Sequence, residues 1–317
     1  MKAIRIYEKG GPEALVYEEA PNPELAPGDA LVRVYASSIT KTELTWDETY
    51  VNEKGEPRTP SIPGHEFSGV VEEIAPGVTS VKPGEEVYGL SSFTRDGSAA
   101  EFIAIHAEDL APKPKTVDHL QAAAVPLAAL TAWQAFFTHA NLTRGQRVLI
   151  HGGAGGVGSF AIQLANWAGA NVITTAGANN HDFAGGLGAH EVIDYTKFRF
   201  ENEVSDVDVV LDTIGGDTLA RSYDVVRQGG QLISIVEKPS AEKMKALGIK
   251  GLYFIVEPNR TQLEEIGRLI DTGRLRVLVD SVLPLEQARQ AFEQGLKDHS
   301  RGKIVLRVAA QAVRSAP

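Results

Sequence analysis

The sequence predicts an α/β protein with two domains: a barrel-like domain of short antiparallel strands, and a domain built on a doubly wound parallel sheet. Three observations support this prediction. The chain has 317 residues, which is enough for roughly two domains. Residues 1 to about 115 contain short alternating strands separated by Pro-Gly pairs, as in small antiparallel barrels. From about residue 117, short apolar strands alternate with helical stretches, which is typical of βαβ units and a parallel sheet.

The first domain is predicted from segments at both ends of the chain. After about residue 259, two helices and a last strand form a segment that is too short to fold alone, so we expect it to complete the first domain. We also expect the tail after Val308 to be frayed. The predicted first domain covers 1–117 and 259–317, and the predicted second domain covers 118–258.

A glycine-rich turn in the second domain carries the strongest functional signal. It runs from His151 to Gly158, and Gly153, Gly155 and Gly158 satisfy the pattern G-x-G-x-x-G. The turn follows a predicted strand and opens a predicted helix, which is the context that a dinucleotide-binding turn requires. The first glycine permits the tight turn, the second lets the backbone approach a pyrophosphate, and the third lets helix and strand pack closely. A triphosphatase loop is excluded because Ser159, and no lysine, follows the last glycine.

The end of the next predicted strand bears on the choice of dinucleotide. An NAD site usually has an acidic residue about 20 residues further on, which binds the ribose 2′-hydroxyl. Residues 174–181 contain no carboxylate, which favours NADPH over NADH. The side chains that could bind a 2′-phosphate are Thr175, Asn179, Asn180 and His181, with Lys197 or Arg199 as a source of charge from the next turn.

A second turn is predicted at the carboxyl edge of the parallel sheet, where ligands bind in such folds. It has the sequence Asp212-Thr213-Ile214-Gly215-Gly216 and follows an apolar strand. Gly215 and Gly216 would let the backbone face the cofactor. The alternative is an ordinary helix entry with Asp217 as the N-cap.

Composition argues against several classes of function. The formal net charge of −10 argues against a nucleic-acid-binding protein. The chain has no cysteine, which excludes disulfides, thiolate nucleophiles and Cys-ligated zinc. The longest uncharged apolar run, 120–141, is alanine-rich and broken by Pro126, so it predicts a buried helix rather than a membrane span. The N-terminus alternates like a strand and lacks the apolar core of a signal peptide, so we expect a cytoplasmic protein.

Several motifs follow one another in the order of a known family. They are Gly64-His65-Glu66-Phe67-Ser68-Gly69-Val70-Val71, Gly97-Ser98-Ala99-Ala100-Glu101-Phe102, Ala154-Gly155-Gly156-Val157-Gly158, Leu187-Gly188-Ala189, Asp212-Thr213-Ile214-Gly215-Gly216 and Arg301-Gly302-Lys303-Ile304-Val305-Leu306. Over nearly its whole length the chain resembles the medium-chain dehydrogenase/reductase superfamily, specifically the zinc-free quinone oxidoreductase branch of the zeta-crystallin type. The resemblance implies a GroES-like N-terminal domain, a partly open β-barrel completed by the C-terminus, around an inserted Rossmann domain. It also implies a homodimer formed through the edge of the Rossmann sheet.

The zinc branch of this superfamily holds its catalytic metal with Cys, His and a second Cys. His65 matches the histidine, whereas the places of the two cysteines fall at Thr40 and near Leu127. One imidazole and Glu66 cannot supply the three protein ligands of a catalytic zinc site, so we predict no metal.

The chemistry that remains is reduction of a quinone or an α,β-unsaturated carbonyl, for which the nicotinamide delivers hydride and the protein mainly orients the reactants and excludes water. Thr40 is the candidate catalytic residue, because it takes the place of a zinc ligand beside the nicotinamide. Trp46, Tyr50 and Phe93 are candidates for the apolar wall of a pocket for a flat, small-molecule substrate. The candidate NADPH contacts are Thr131, Gly153, Ala154, Gly155, Gly156, Val157, Gly158, Thr175, Gly177, Tyr195, Thr213, Gly215, Val236, Phe254 and Val256. Of these, Tyr195, Val236, Phe254 and Val256 are implied by the resemblance to the family.

Two other functions stay open at this point. Because the sequence shows no identifiable general acid, a catalytically idle NADPH-binding sensor or structural protein is an alternative. A zinc alcohol dehydrogenase is the other enzymatic alternative, which metal analysis distinguishes.

Overall fold

The computed structural model describes residues 1–297 and 301–309, so most of the tail predicted to be frayed lies outside the described residues. The strands are β1 (Lys2–Ile6), β2 (Leu15–Glu19), β3 (Asp29–Ser38), β4 (Glu66–Ile74), β5 (Glu86–Leu90), β6 (Phe102–His106), β7 (Leu110–Pro112), β8 (Arg147–Ile150), β9 (Asn171–Ala176), β10 (Glu191–Asp194), β11 (Val207–Asp212), β12 (Val226–Ser234), β13 (Lys250–Tyr253), β14 (Val279–Pro284) and β15 (Lys303–Arg307). The helices are α1 (His119–Ala123), α2 (Pro126–Trp133), α3 (Gly156–Trp167), α4 (His181–Gly186), α5 (Phe200–Glu203), α6 (Gly216–Ser222), α7 (Ala241–Leu247), α8 (Arg260–Asp271) and α9 (Ala288–Lys297).

The chain folds into two compact units. The first contains residues 1–127, 257–273 and the described residues from 277 onward, and the second contains 128–256 and 274–276. These bounds differ from the predicted division in two places. Helix α1 packs against β3 and β4, so the first unit extends to residue 127 instead of 117. Residues 274–276 belong to the second unit because the Gln163 amide bonds both the N–H and the carbonyl of Arg276, at 2.8 and 3.1 Å.

A seven-stranded sheet forms the frame of the first unit. Its order is β14-β15-β3-β4-β5-β7, and β6 also pairs with β3. The pairs are antiparallel except for β14 with β15, which is parallel. Strand β3 lies at the centre, where its alternation buries Val32 and Val34 against Phe67 and exposes Arg33. The described sheet stays open, while β1 and β2 form a separate antiparallel pair.

A six-stranded parallel sheet forms the frame of the second unit, with the order β10-β9-β8-β11-β12-β13. Counted along the chain this order is 3-2-1-4-5-6, the doubly wound Rossmann arrangement that the sequence predicts. Its central strand β8 is apolar at consecutive positions, since Val148, Leu149 and Ile150 are all fully buried, as expected for a sheet covered on both faces. The strand order reverses between β8 and β11, and ligands bind beyond the carboxyl ends of the strands at such a reversal.

The length of a helix and its apolar character decide whether it can cross a bilayer. Among the residues that the structure describes, none of the helices has the length and the apolar character needed to cross a membrane. This agrees with the interpretation of the alanine-rich run as buried: its first two helices, α1 and α2, contain the fully buried Ala122, Ala123 and Ala129.

Candidate functional site

The glycine-rich turn after β8 contains two glycines that the fold requires, and one that it does not require. A Cβ atom added to Gly158 would lie 2.1 Å from the Gly152 carbonyl oxygen, and one added to Gly153 would lie 2.2 Å from the Thr174 hydroxyl oxygen. Both positions must therefore be glycine for α3 and β9 to pack against the turn. A Cβ on Gly155 would meet its nearest atom only at 3.4 Å, an ordinary contact. The space beside Gly155 is open, as the second glycine of a pyrophosphate-binding turn requires.

Helix α3 begins directly after this open space. Its N-cap is Gly155, which has no side chain with which to cap the first amides. The helix then runs for 12 residues, so its N-terminus carries a positive dipole end and N–H groups that suit an anion. Ala154 and Val157, which flank this glycine on either side, are buried and half-buried. The turn therefore fits the pyrophosphate of a dinucleotide.

A second turn lies at the same sheet edge, after the neighbouring strand β11. The buried Asp212 carboxylate accepts the N–H groups of Ile214 and Gly215 and the Ser234 hydroxyl, so it shapes the turn from inside. Gly215, at φ +78°, is the N-cap of α6. Asp217 is not the N-cap, which corrects that alternative: it lies inside the first turn of α6 and pairs with Arg221. The Thr213 hydroxyl donates to the carbonyl of His151, which ties the two turns together.

Apolar side chains stand around the second turn. Ile214 and Val236 are about half exposed, at 53% and 48%. A Cβ on Gly215 would lie 2.9 Å from a Val236 methyl, so Val236 packs against the turn itself. The Phe254 ring contacts the ring of His139 in a tilted arrangement, with 4.6 Å between the ring centroids. Two other predicted cofactor contacts, Thr131 and Val256, are buried, with 4% and 8% of their surface exposed.

The end of β9, where the adenosine of a dinucleotide is expected, is polar and lacks a carboxylate. Tyr195 is half exposed, and its hydroxyl lies 3.6 Å from the position of a Cβ on Gly177. Lys197, which is exposed, pairs with Asp194 at 3.3 Å. Arg199 pairs with Glu201 at 2.7 Å, so part of its charge is balanced within the protein.

Two of the predicted phosphate ligands at this strand end are engaged inside the protein. Thr175 is only 4% exposed, and its hydroxyl oxygen contacts the His151 ring and the Gly152 amide. The His181 ring bonds the carbonyl of Val192 at 2.7 Å. The Thr175 hydroxyl therefore bonds to the glycine-rich turn. The Tyr195 side chain, by contrast, is half exposed to solvent at this strand end.

A buried charge cluster in the first unit surrounds Thr40, the predicted catalytic residue, which is half-buried just after β3. The Lys303 ammonium lies 2.6 Å from a Glu66 carboxylate oxygen and donates to the Ile39 carbonyl at 2.7 Å and to the Thr40 hydroxyl at 3.3 Å. The other Glu66 oxygen accepts the Leu127 N–H. Because the Thr40 oxygen accepts from Lys303, the hydroxyl hydrogen of Thr40 remains available to a substrate oxygen.

A second carboxyl, that of Glu43, belongs to the same cluster. Burial raises its pKa to about 8; Lys303 opposes this effect and the negative Glu66 adds to it. Glu43 is 1% exposed, and among the described residues its Oε1 has no hydrogen-bond partner. One ammonium therefore serves two carboxyl groups, and the second of them is held neutral.

Two of the three residues of the predicted aromatic wall contact each other. Trp46 meets Phe93 edge to face at 5.3 Å, and Phe93 meets the His65 ring in the same way at 5.1 Å. Burial lowers the pKa of His65 to about 3, so this ring is neutral. Tyr50 does not join them: its hydroxyl donates to the Leu44 carbonyl and its ring packs on the core of the first unit. The Tyr50 hydroxyl therefore has a structural partner, and a role for its ring in a substrate pocket stays a prediction.

Within residues 1–297 and 301–309, no group of three or more histidine, aspartate or glutamate side chains is arranged to hold a metal ion. For three residues of the sites described above the sequence predicts no individual role: Glu43, Lys303 and His151. The first two look like surface charges in sequence, and the third precedes the glycine pattern without belonging to it.

Two family models match separate parts of the chain. A family model described as "Alcohol dehydrogenase GroES-like domain" matches residues 26–115, and one described as "Zinc-binding dehydrogenase" matches residues 187–306. The chain is 36% identical, over 91% of both chains, to a probable zinc-binding oxidoreductase, mitochondrial, of Arthroderma benhamiae. It is 30% identical, over 96% of its length and 79% of the relative, to an NADPH-dependent alkenal/one oxidoreductase, chloroplastic, of Arabidopsis thaliana. Among solved structures, the quinone oxidoreductase from Coxiella burnetii superposes with a TM-score of 0.90, at 32% identity over 98% of this chain and 99% of that one.

Proposed function

Because the chain belongs to the medium-chain dehydrogenase/reductase superfamily, in its zeta-crystallin-like branch, we propose that it is an NADPH-dependent reductase that delivers hydride to a quinone or an α,β-unsaturated carbonyl without zinc. The observation that carries this proposal is the open space beside Gly155 at the N-terminus of α3, which fits a dinucleotide pyrophosphate. The relatives named above support the two classes of substrate, since one is named an alkenal/one oxidoreductase and one a quinone oxidoreductase.

NADPH is preferred to NADH in this proposal because of the strand end after β9. A carboxylate at this point would bind the 2′-hydroxyl of NAD and repel a 2′-phosphate. Residues 174–181 contain none, and the half-exposed Tyr195 offers a hydroxyl beside Gly177. Lys197 adds a positive charge nearby in sequence, although it shares that charge with Asp194.

The proposed mechanism assigns the protein three tasks. NADPH, when bound, supplies the hydride. The two turns after β8 and β11 hold it, with the exposed Ile214 and Val236 as apolar contacts that exclude water. The Thr40 hydroxyl, whose oxygen accepts from Lys303, donates a hydrogen bond to the substrate oxygen on which negative charge develops. Trp46 and Phe93 provide an apolar edge for a flat substrate.

Independence from zinc rests on the residues present. The chain has no cysteine, and His65 is neutral, buried and packed against Phe93. A catalytic zinc needs three protein ligands, usually including histidine or thiolate, and the described residues bring no such set together. The name of the Arthroderma relative refers to zinc, so metal content belongs in the test.

The test is the loss of NADPH absorbance in the presence of EDTA, with ortho- and para-quinones and several enones as acceptors and NADH in parallel. We expect turnover with NADPH that EDTA does not reduce, and slower turnover with NADH. NADPH binding without turnover of any acceptor would contradict the proposal and favour a catalytically idle binding protein. Loss of activity in EDTA, restored by Zn²⁺, would instead establish a metal enzyme.

We also propose that two copies of the chain form a dimer through β13. This strand is one of the two outer strands of the described parallel sheet. Tyr253 at its end and Ile255 just after it are 40% and 48% exposed. The outer edge of such a strand, with apolar side chains, is a template for pairing with a second copy. Light scattering should give twice the mass of the chain, and Leu252→Pro should give a monomer. A monomeric wild-type protein would contradict this proposal.

The cytoplasmic location stays a prediction, since two relatives named above carry organelle names.

A further inference from the structure

His151, a buried histidine between the two turns of the second unit, has no role in the mechanism proposed above. It follows β8 directly and is completely inaccessible to solvent. Its backbone N–H donates to the Leu211 carbonyl of β11 at 3.0 Å, and its own carbonyl accepts the Thr213 hydroxyl at 2.8 Å. The residue is therefore bound on its backbone to the strand and the turn beside it.

The ring of His151 is bonded through both nitrogens. Nδ1 lies 3.1 Å from the hydroxyl oxygen of Thr175 on β9, and Nε2 lies 3.0 Å from the hydroxyl oxygen of Ser222 at the end of α6. Phe200 packs against the ring at a centroid distance of 4.5 Å. Burial, together with the positive charge of Arg221, lowers the pKa of His151 to about 3, so the ring is neutral and carries a single N–H.

The surrounding hydroxyls decide which nitrogen carries that hydrogen. The Ser222 oxygen lies 2.7 Å from the Thr218 carbonyl oxygen, which can only accept, so the Ser222 hydrogen points there. Ser222 must then accept from His151, which places the ring hydrogen on Nε2. Nδ1 is an acceptor, and Thr175 donates to it. The Thr175 oxygen in turn accepts the Gly152 N–H at 3.3 Å.

These bonds form one directed series, which we call the His151 network: Gly152 N–H to Thr175, Thr175 to His151, His151 to Ser222, and Ser222 to the Thr218 carbonyl. One end of the series is Gly152, which directly precedes the G-x-G-x-x-G pattern, and the other end is α6, the helix that follows the second turn. Each hydrogen has one donor and one acceptor, so reversal of any member leaves two donors or two acceptors facing each other.

We propose that His151 is a positioning residue of the dinucleotide site, whose Nε2–H tautomer, set by Ser222, orients Thr175 and thereby fixes the Gly152 amide and the turn that receives the pyrophosphate. This inference rests on the proposed function only in taking a dinucleotide as the ligand. It assigns a role in binding to a side chain that does not itself touch the ligand, and it predicts that the tautomer is present before any cofactor binds.

The first experiment measures the dissociation constant of NADPH by calorimetry for four variants. Thr175→Val removes the hydroxyl at constant shape, Thr175→Ser retains it, and Ser222→Ala removes the acceptor of the ring hydrogen. The matched control is Ser68→Ala in the other unit, which deletes a buried serine hydroxyl between His119 (2.8 Å) and the Val87 carbonyl (2.9 Å). It removes the same chemistry without touching the turn.

We expect Thr175→Val and Ser222→Ala to weaken NADPH binding roughly 10-fold, the effect of one lost buried hydrogen bond, with kcat changed less than KM. Thr175→Ser should restore binding to within about 2-fold of wild type. Ser68→Ala should lower the thermal midpoint by a similar amount to Ser222→Ala and leave NADPH binding unchanged. Equal binding by wild type and Thr175→Val would overturn the inference, as would an equal loss of binding in Ser68→Ala.

The second experiment needs no cofactor. Long-range proton–nitrogen NMR spectra of the free protein should assign the hydrogen of His151 to Nε2, unchanged from pH 8 to pH 5. In Ser222→Ala the Nδ1–H tautomer should appear. A wild-type ring protonated on Nδ1 would overturn the inference, whereas a wild-type protein with the expected tautomer and no affinity for NADPH would instead contradict the proposed function.

Discussion

Replacing the buried Glu43 with glutamine should stabilise the protein, by an amount that grows with pH. The carboxyl ordinarily has a pKa of 4.5, and burial raises this value to about 8 in the folded chain. Between these two pH values the unfolded chain releases a proton that the folded chain retains. Stability from this group is therefore fully present below about pH 4.5 and is lost as the pH rises towards 8. Glutamine has the shape of the neutral acid and does not ionise in either state.

The magnitude follows from the two pKa values. Each pH unit corresponds to ~1.4 kcal/mol for one proton, so at pH 7 the folded wild-type chain loses about 3 kcal/mol in holding Glu43 neutral. Glu43→Gln should therefore exceed the wild-type free energy of unfolding by less than ~1 kcal/mol near pH 5 and by about 3 kcal/mol at pH 7.

The assay is urea unfolding of both proteins at half-unit steps from pH 5 to pH 8. Glu53→Gln, which neutralises an exposed loop glutamate, is the matched control and should show no such trend. A difference between Glu43→Gln and wild type that stays constant across the pH range would refute the reasoning, because it would mean that Glu43 is ionised in the folded chain throughout.

Three further predictions concern Lys303, the glycine-rich turn and the two buried histidines. Lys303→Met leaves a buried carboxylate without its counter-charge, and should lower the free energy of unfolding by ~3–5 kcal/mol in the same urea assay; an unchanged midpoint would contradict the buried ion pair. Gly155→Ala should fold with near wild-type stability but bind NADPH at least ~10-fold more weakly, whereas Gly158→Ala should fail to fold or unfold far more easily, because its methyl group meets a backbone carbonyl; calorimetry and thermal unfolding separate the two, and equal behaviour would refute the assignment of the glycines. Burial holds the pKa of His65 and His151 near 3, so the unfolded chain takes up protons first and the free energy of unfolding should fall by ~1.4 kcal/mol per pH unit for each histidine between about pH 6.5 and pH 3; His65→Gln should reduce that slope, and an identical slope would count against a neutral His65.

The Rossmann arrangement could be predicted because its signals are local. The strand, the glycine pattern and the helix follow one another within a few residues, and the steric need for Gly153 and Gly158 is met inside that same segment. The buried charges could not be predicted in this way. Glu66 and Lys303 lie far apart in sequence and meet only because β15 pairs with β3, and a lone glutamate or lysine in sequence most often indicates a solvated side chain.

The contacts of the candidate site could likewise be predicted only in part from the sequence. Trp46 and Phe93 were chosen for their aromatic character and do meet, but Tyr50 was chosen on the same ground and its hydroxyl binds a backbone carbonyl instead. Thr175 is a candidate cofactor contact because it is a polar residue at a strand end, and its hydroxyl bonds the His151 ring, which the sequence does not indicate. Polarity and position indicate that a group bonds, while the fold alone determines to what.

The pairing of β15 with β3 also determines when each part of the protein can form during synthesis. The second unit is contiguous from residue 128 to 256 apart from three later residues, so its parallel sheet can assemble while the ribosome is still adding the C-terminal segment. The first unit must wait for its last strand to leave the exit tunnel, with the edge of β3 uncovered and Glu66 lacking its ammonium partner until then. The part of the chain made first is therefore the part completed last, and the nascent N-terminal segment is the one that most needs protection from aggregation before translation ends.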